Sequence, residues 1–245
     1  MIPLRDANPT RQTPFVTLSL IVACFVVFAW ELGLLASGGE TAIEDFIGHW
    51  GVVPAALTAA WSNGDYLSQP TATLITSQFL HGGWFHLLGN MLYLWIFGNN
   101  VEDRFGRAGF LAFYLFGGAL AGLTQVAIDP TSTVPTIGAS GAIAATLGAY
   151  FVLFPRARVT TLVFLGFFYQ LIDVPAILVL GFWFVLQLID GLASVGVVQT
   201  GGVAVFAHIG GFVVGALIAR LVLAIGARRH GPSAPSAPSA PAPVG

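Results

Sequence analysis

The chain has 245 residues, of which 56% are hydrophobic and only 8% charged, with a formal net charge of −2. A soluble domain keeps about 25% of its residues charged, so this composition excludes a soluble globular protein, and the charge balance offers nothing to nucleic acid. The length accommodates about six membrane crossings joined by short loops. The single Cys24 lies in the first apolar run, where it packs as a small apolar group and can form no internal disulfide.

Residues 1–14 read as a cytoplasmic segment, followed by apolar runs that predict spans at 15–36, 81–97, 108–128, 139–154, 175–192 and 203–225. The first run is too long for a secretory signal peptide and lacks a small-residue cleavage site. The longest loop, 37–80, mixes Ile43, Phe46, Ile47 and Trp50 with Glu44, Asp45 and His49, a pattern expected of elements lying in the outer interface. The second and fourth runs are short for a hydrocarbon layer of about 30 Å, so their ends are where water can reach. The stretch 159–173 reads as interfacial or re-entrant, because Asp173-Val174-Pro175 separates it from the fifth span. The tail 227–245 repeats Pro-Ser-Ala and is expected to be a disordered cytoplasmic end.

Arginine sets the orientation. All nine basic residues are Arg, which with the abundance of Ala and Gly suggests a GC-rich bacterial genome. Arg5 and Arg11 precede the first span, Arg104 and Arg107 follow the second, Arg156 and Arg158 follow the fourth, and Arg220, Arg228 and Arg229 close the sixth. The alternate loops hold Glu40, Glu44, Asp45, Asp65 and Asp129 and no Arg. The positive-inside bias then predicts an all-α bundle of six spans, core residues 15–226, with both termini cytoplasmic. A seventh crossing at 159–173 would put the last three arginines outside.

In this orientation spans two, four and six start at the outer face, and the reactive side chains gather there. His81, His86 and Asn90 lie on or before the second span, Ser140 opens the fourth within Gly138-Ala139-Ser140-Gly141, and His208 is about six residues into the sixth. His86 and Asn90, four apart, share a helix face. Each residue also has a plainer reading: a glycine-rich packing patch for Gly-x-Ser-Gly, an interfacial residue for His86, an interhelical hydrogen bond for His208. An ionisable group inside a span is costly and usually functional, which favours His208 as more than packing.

Serine is a poor nucleophile until a base takes its proton, and neutral histidine suits that task near pH 7. Asn90, His86 and the Ser140 backbone N–H are candidate donors to an oxyanion. Gly141, Ala144, Ala145 and Gly148 on the fourth span face the Gly211-x-x-x-Gly215 pattern on the sixth, spacing that allows close helix approach. Gly118 and Gly122 repeat the pattern on the third. Asp190 is the only acid placed to complete a triad, and nothing in the sequence brings it to His208, so a Ser-His dyad is the natural form. A zinc site of His81, His86 and His208 is disfavoured by the five-residue spacing and the lack of a further ligand, so no metal is expected.

The run His81-Gly82-Gly83-Trp84-Phe85-His86-Leu87-Leu88-Gly89-Asn90, the Gly138-Ala139-Ser140-Gly141 turn and Ala207-His208 with Gly211 and Gly215 resemble the rhomboid family of intramembrane serine proteases. Gly98-Asn99-Asn100-Val101-Glu102-Asp103 and the opening Met1-Ile2-Pro3-Leu4-Arg5-Asp6 look like bacterial members. The resemblance covers about residues 1–226. It implies Ser140 as nucleophile, His208 as general base, His86 and Asn90 in the oxyanion hole, and supporting roles for His81, Gly138, Gly141, Gly211 and Gly215. It also implies transmembrane protein substrates cut near their outer ends, in a cell membrane, without metal or cofactor. Substrate is expected to arrive sideways from lipid between spans two and five, past Phe182, Trp183 and Phe184.

Two features depart from the family pattern: Ala72 and Thr73 stand where many members carry Trp-Arg, and Ala144 where many carry a tyrosine stacked on the histidine. Any ring that holds His208 must therefore come from elsewhere. The competing readings are a catalytically inactive rhomboid-like module that binds membrane proteins, and a small transporter. A transporter should carry charges or broken helices at the midplane.

Overall fold

The computed structural model describes residues 2–165, 168–194 and 204–229. Nine α-helices and three strands follow in chain order among them. Strand β1 (Ile2–Asp6) leads into α1 (Phe15–Trp50), then α2 (Pro54–Ser62) and α3 (Gln69–Thr76). Helix α4 (Trp84–Tyr93) runs through a π-helical turn, Leu94–Gly98, into α5 (Asn99–Phe105), and α6 (Arg107–Ile128) and α7 (Ser140–Leu153) follow. The hairpin β2 (Arg158–Leu165) and β3 (Phe168–Pro175) precedes α8 (Ala176–Ser194) and α9 (Val205–Arg229).

Among the described residues four helical segments are long and apolar enough to cross a membrane: Phe15–Trp50, Arg107–Ile128, Ala176–Ala193 and Val205–Ile225. The protein is therefore a mostly helical, multi-pass membrane protein. The residues of the second expected span form a helical run through α4, the π turn and α5, and those of the fourth form the short apolar helix α7. Helix α1 carries a break at Gly39, whose φ of 70° only glycine adopts cheaply, and the break divides the apolar run from the expected interfacial segment. Helix α9 continues to Arg229, past the expected core limit at 226. Residues 230–245, the rest of the expected tail, lie outside the described residues.

Helix α7 occupies the centre. Every residue from Gly141 to Tyr150 is buried, as expected of a helix that is apolar all round. Its closest partner is α9, and small residues make that possible. A methyl group on Gly215 would collide with the Ala145 carbonyl oxygen, one on Gly148 with the Phe212 carbonyl, and one on Gly211 with the Gly141 carbonyl. On the α6 side a Cβ on Gly117 would lie 2.8 Å from the Ala145 methyl. Gly118 and Gly122 instead receive Gln78 and Leu74. Around the other end of α7, Phe97, Phe110, Tyr114 and Tyr150 fill the core.

The expected all-α fold is corrected by a three-stranded antiparallel sheet in the order β1-β2-β3. The stretch read as interfacial or re-entrant pairs with itself from Arg158↔Pro175 to Leu165↔Phe168. Strand β1 joins with Ile2↔Leu162 and Asp6↔Val159. Val159-Thr160-Thr161 and Leu162-Val163 are rich in the β-branched residues that fit a pleated surface, and Val159 and Thr161 are buried beneath it. Asp6 then ties the sheet to the helices, accepting hydrogen bonds from the Asn100 amide and the Tyr150 hydroxyl, each 2.7 Å.

Buried Glu102 fastens the start of α1 from α5. Its carboxylate accepts the backbone N–H groups of Val16 (3.0 Å) and Thr17 (2.8 Å) and the Thr17 hydroxyl (2.7 Å). These amides are among the four donors that a helix leaves without intrahelical partners, at the end where the macrodipole favours an anion. Glu102→Ala should lower stability by roughly 2–4 kcal/mol, since charged hydrogen bonds are worth about 1.5–3 kcal/mol each and do not add fully. Glu102→Gln, which keeps one acceptor oxygen, should lose less. Melting temperatures of the two variants in detergent test the order.

Candidate active site

The turn before α7 brings span-two residues against Ser140. Gly138 has a φ of 120°, and its N–H donates to the Ser77 carbonyl at 2.9 Å. A Cβ at this position would lie 2.7 Å from both Cε1 and Nε2 of His86 and 3.7 Å from the Asn90 amide nitrogen. Glycine is required here twice, by conformation and by space. The imidazole and the carboxamide thus rest on the backbone two residues before Ser140, the first residue of α7.

The polar atoms at this point are unusually free. The Asn90 amide nitrogen is buried and has no hydrogen-bond partner among the described residues. A buried donor left unmatched costs about 1–3 kcal/mol. The Gly82 N–H points to His86 Nδ1 at 3.4 Å. In the neutral ring that places the proton on Nε2, the nitrogen beside Gly138. His86 and the Asn90 amide thus meet at Gly138, two residues before Ser140.

His81 stands behind His86, with ring centroids 5.2 Å apart and planes at 64°. Its Nδ1 donates to the Phe79 carbonyl at 3.1 Å. The backbone N–H of His81 meets both carboxylate oxygens of buried Glu31, at 3.2 and 3.3 Å. Glu31 was hidden in the first apolar run, and no local pattern could pair it with a residue 50 positions away. Among the described residues no three of His, Cys, Asp and Glu gather as a metal-binding set.

His208 sits in the first turn of α9, nearer the helix start than the sequence suggested, because the helix begins at Val205. It is buried. Its neighbour Ala207 lies on the α7 side: a Cβ on Gly141 would be 4.0 Å from the Ala207 methyl. Residues flanking the serine and the histidine are therefore packed together across the α7–α9 seam. Among the described residues Ser140 Oγ and His208 are not hydrogen-bonded to each other. Catalytic hydrogen bonds often tighten only when substrate is bound.

The side-chain hydrogen-bond partner of His208 comes from α8, and it is not Asp190. His208 Nδ1 lies 2.7 Å from Gln187 Oε1, while Asp190 is exposed. A search for an acid could not find this amide. The indole of Trp183 covers the imidazole, with centroids 5.9 Å apart and planes at 35°, the ring that Ala144 cannot supply. Trp183 and Phe184 also pack on Phe212, at 6.1 and 4.4 Å. Of the three bulky residues expected at a loose gate, only Phe182 faces outward. The other two fasten α8 to α9.

The fold is that of a multi-pass membrane protein in which Ser140 and His208 lie in the first turns of neighbouring helices, with His86 and Asn90 against the turn that precedes Ser140. The rhomboid domain matches residues 68–225, and the chain belongs to the rhomboid family. It is 34% identical over 192 residues to the rhomboid protease GluP of Bacillus subtilis, covering 78% of this chain and 33% of that protein. Rhomboid protein 1 of Saccharomyces cerevisiae mitochondria is 35% identical over 41% of this chain and 30% of its own length. Rhomboid-like protein 11 of Arabidopsis thaliana chloroplasts is 41% identical over 28% of this chain and 24% of its own. The chain spans less than half the length of these relatives, which come from bacterial and organellar settings.

Proposed function

We propose that the protein is an intramembrane serine endopeptidase that cuts transmembrane segments of other proteins near their outer ends. The observation that carries the reading is the donor cluster at Gly138: His86 and the unpartnered Asn90 amide lie against the backbone leading into Ser140. In this mechanism His208 Nε2 takes the proton of Ser140 Oγ, and Oγ attacks the carbonyl carbon of the scissile peptide. Asn90, His86 and the Ser140 N–H hold the negative oxygen of the tetrahedral intermediate. The imidazolium returns its proton to the leaving amine, and water then hydrolyses the acyl-enzyme by the same base. No metal or cofactor enters the scheme.

The topology belongs to the same proposal: six spans, both termini cytoplasmic, in a bacterial cell membrane with the site near the outer face. Arginine distribution supports it. Lateral access between α4 and α8 is the route that the family resemblance implies. Both also expose apolar side chains, Phe85 and Leu88 on α4 and Phe182 and Val185 on α8. A disulfide between α4 and α8 should block transmembrane substrates yet spare labelling by a small serine-reactive probe. Full cleavage with the cross-link formed would place access elsewhere.

The direct test is cleavage of a generic transmembrane substrate by the purified protein in liposomes, together with covalent labelling by a fluorophosphonate. The inactive binding module predicts neither. Asn90→Ala should slow turnover about 10- to 1,000-fold without abolishing it, because one lost oxyanion donor costs at most roughly 2.7–4 kcal/mol. An unchanged rate would make Asn90 structural.

A further inference from the structure

Helix α8 meets α9 through two pairs of residues four apart, Trp183 and Gln187 on one side and His208 and Phe212 on the other. Trp183 lies against both rings of α9, and Gln187 closes on the imidazole at 2.7 Å. Residues four apart share one helix face, so a single face of α8 clamps the first turn of α9. The interaction is specific in chemistry as well as in place. Glutamine's carbonyl oxygen accepts a hydrogen bond, and a neutral imidazole that donates from Nδ1 must leave Nε2 with its lone pair free.

We infer that Gln187 is the positioning residue of His208: its side-chain carbonyl holds the proton on Nδ1 and so reserves Nε2 for the Ser140 hydroxyl. The inference rests on the dyad reading above and extends it to a third side chain. During acylation the proton leaves Ser140 Oγ for Nε2, Nδ1 keeps its own, and Gln187 neither gains nor loses one. The hydrogen bond becomes charge-assisted at that moment, because the donor ring is then a cation. An amide meets this need without an anion in a low-dielectric seam, where an unpaired carboxylate would be costly to bury. Because Gln187 and Trp183 belong to the helix flanking the proposed access route, displacement of α8 also releases the base. Catalytic readiness and opening are thereby linked.

The titratable group facing His208 from α4 is His86. From α8 the nearest acid is exposed Asp190. The sides of α6 and α7 that face the first turn of α9 present Thr124, Ala121, Gly141 and Ala144, none of which titrates.

Gln187→Met, which keeps length and bulk but no carbonyl, should reduce kcat about 10- to 100-fold with KM little changed. Fluorophosphonate labelling, which needs no passage for a transmembrane substrate, should slow by a similar factor. Gln187→Glu restores an acceptor and should recover most activity at alkaline pH. Its carboxylate favours imidazolium, so the acid limb of the kcat/KM profile should move to higher pH by about one unit. Full-chain protein in nanodiscs with ¹⁵N-labelled histidine gives a readout independent of turnover: wild-type His208 should show Nδ1–H, and the Met variant a mixture of tautomers.

Wild-type labelling with an unaltered Met variant would overturn the positioning role alone. Slowed cleavage with normal labelling would assign Gln187 to access instead and equally overturn it. An unlabelled wild type would remove the dyad reading. The histidine ¹⁵N shifts would then still decide whether Gln187 sets the tautomer, and unchanged shifts in the Met variant would overturn that too. If the Met variant fails to fold, the Glu variant's pH profile decides, and an unshifted acid limb overturns the inference.

Discussion

Ser140→Ala and His208→Ala are each expected to abolish cleavage of a transmembrane substrate while the protein still inserts and folds. The alanine at 140 removes only a hydroxyl from a half-buried helix start. At 208 it removes an imidazole whose partners, Gln187 and Trp183, lie on one neighbouring helix. Because proton transfer and attack are one event, loss of either group removes the whole step. The double variant should be little slower than either single one, as groups acting as a unit are far from additive. Both variants should also lose fluorophosphonate labelling, the serine variant because the nucleophile is gone and the histidine variant because it is no longer activated. Cleavage retained in purified Ser140→Ala would end the serine-protease reading.

Gly215→Val should be the most damaging substitution outside the site. Even a single methyl there would run into the Ala145 carbonyl oxygen and lie 2.7 Å from the Ala145 Cα. The obstacle is backbone, which cannot swing aside as the end of a long side chain can. Overpacking usually costs about 1–3 kcal/mol, and relief here requires moving α9 away from α7 as a body. The same movement separates His208 from Ser140, so activity should fall together with melting temperature. Gly33→Ala is the matched control. It adds the same kind of group to a helix at a position with nothing within 4 Å, and should be neutral or stabilising by up to about 1 kcal/mol. Comparable losses from both would show that the α7–α9 seam does not govern the response.

Much of the protein is legible in one dimension because its signals are local. A helix able to cross a membrane declares itself by a run of apolar residues. Gly141, Gly148, Gly211 and Gly215 announce close helix approach by their spacing alone, and the structure uses each of them. Ser140, His86, Asn90 and His208 stand out because reactive side chains are rare in such a chain.

Pairings between distant segments were decided only in three dimensions. Residues 2–6 read as part of a cytoplasmic segment without structure of its own, yet they form the third strand of a sheet with a hairpin more than 150 positions away. A strand's partner leaves no mark in its own sequence. Glu102 and Glu31 each serve backbone N–H groups on another element, 50 to 86 residues distant, and any acceptor in the right place would have done. Gln187 was invisible for a related reason: its role depends on facing His208 across the α8–α9 seam, and its residue type alone gives no sign of it. The ring over the histidine followed the same rule, with Trp183 supplying from α8 what Ala144 cannot supply from α7. Hydrophobic periodicity and charge are properties of a segment and can be read along it, whereas hydrogen-bond geometry is a property of two segments and exists only once they are packed.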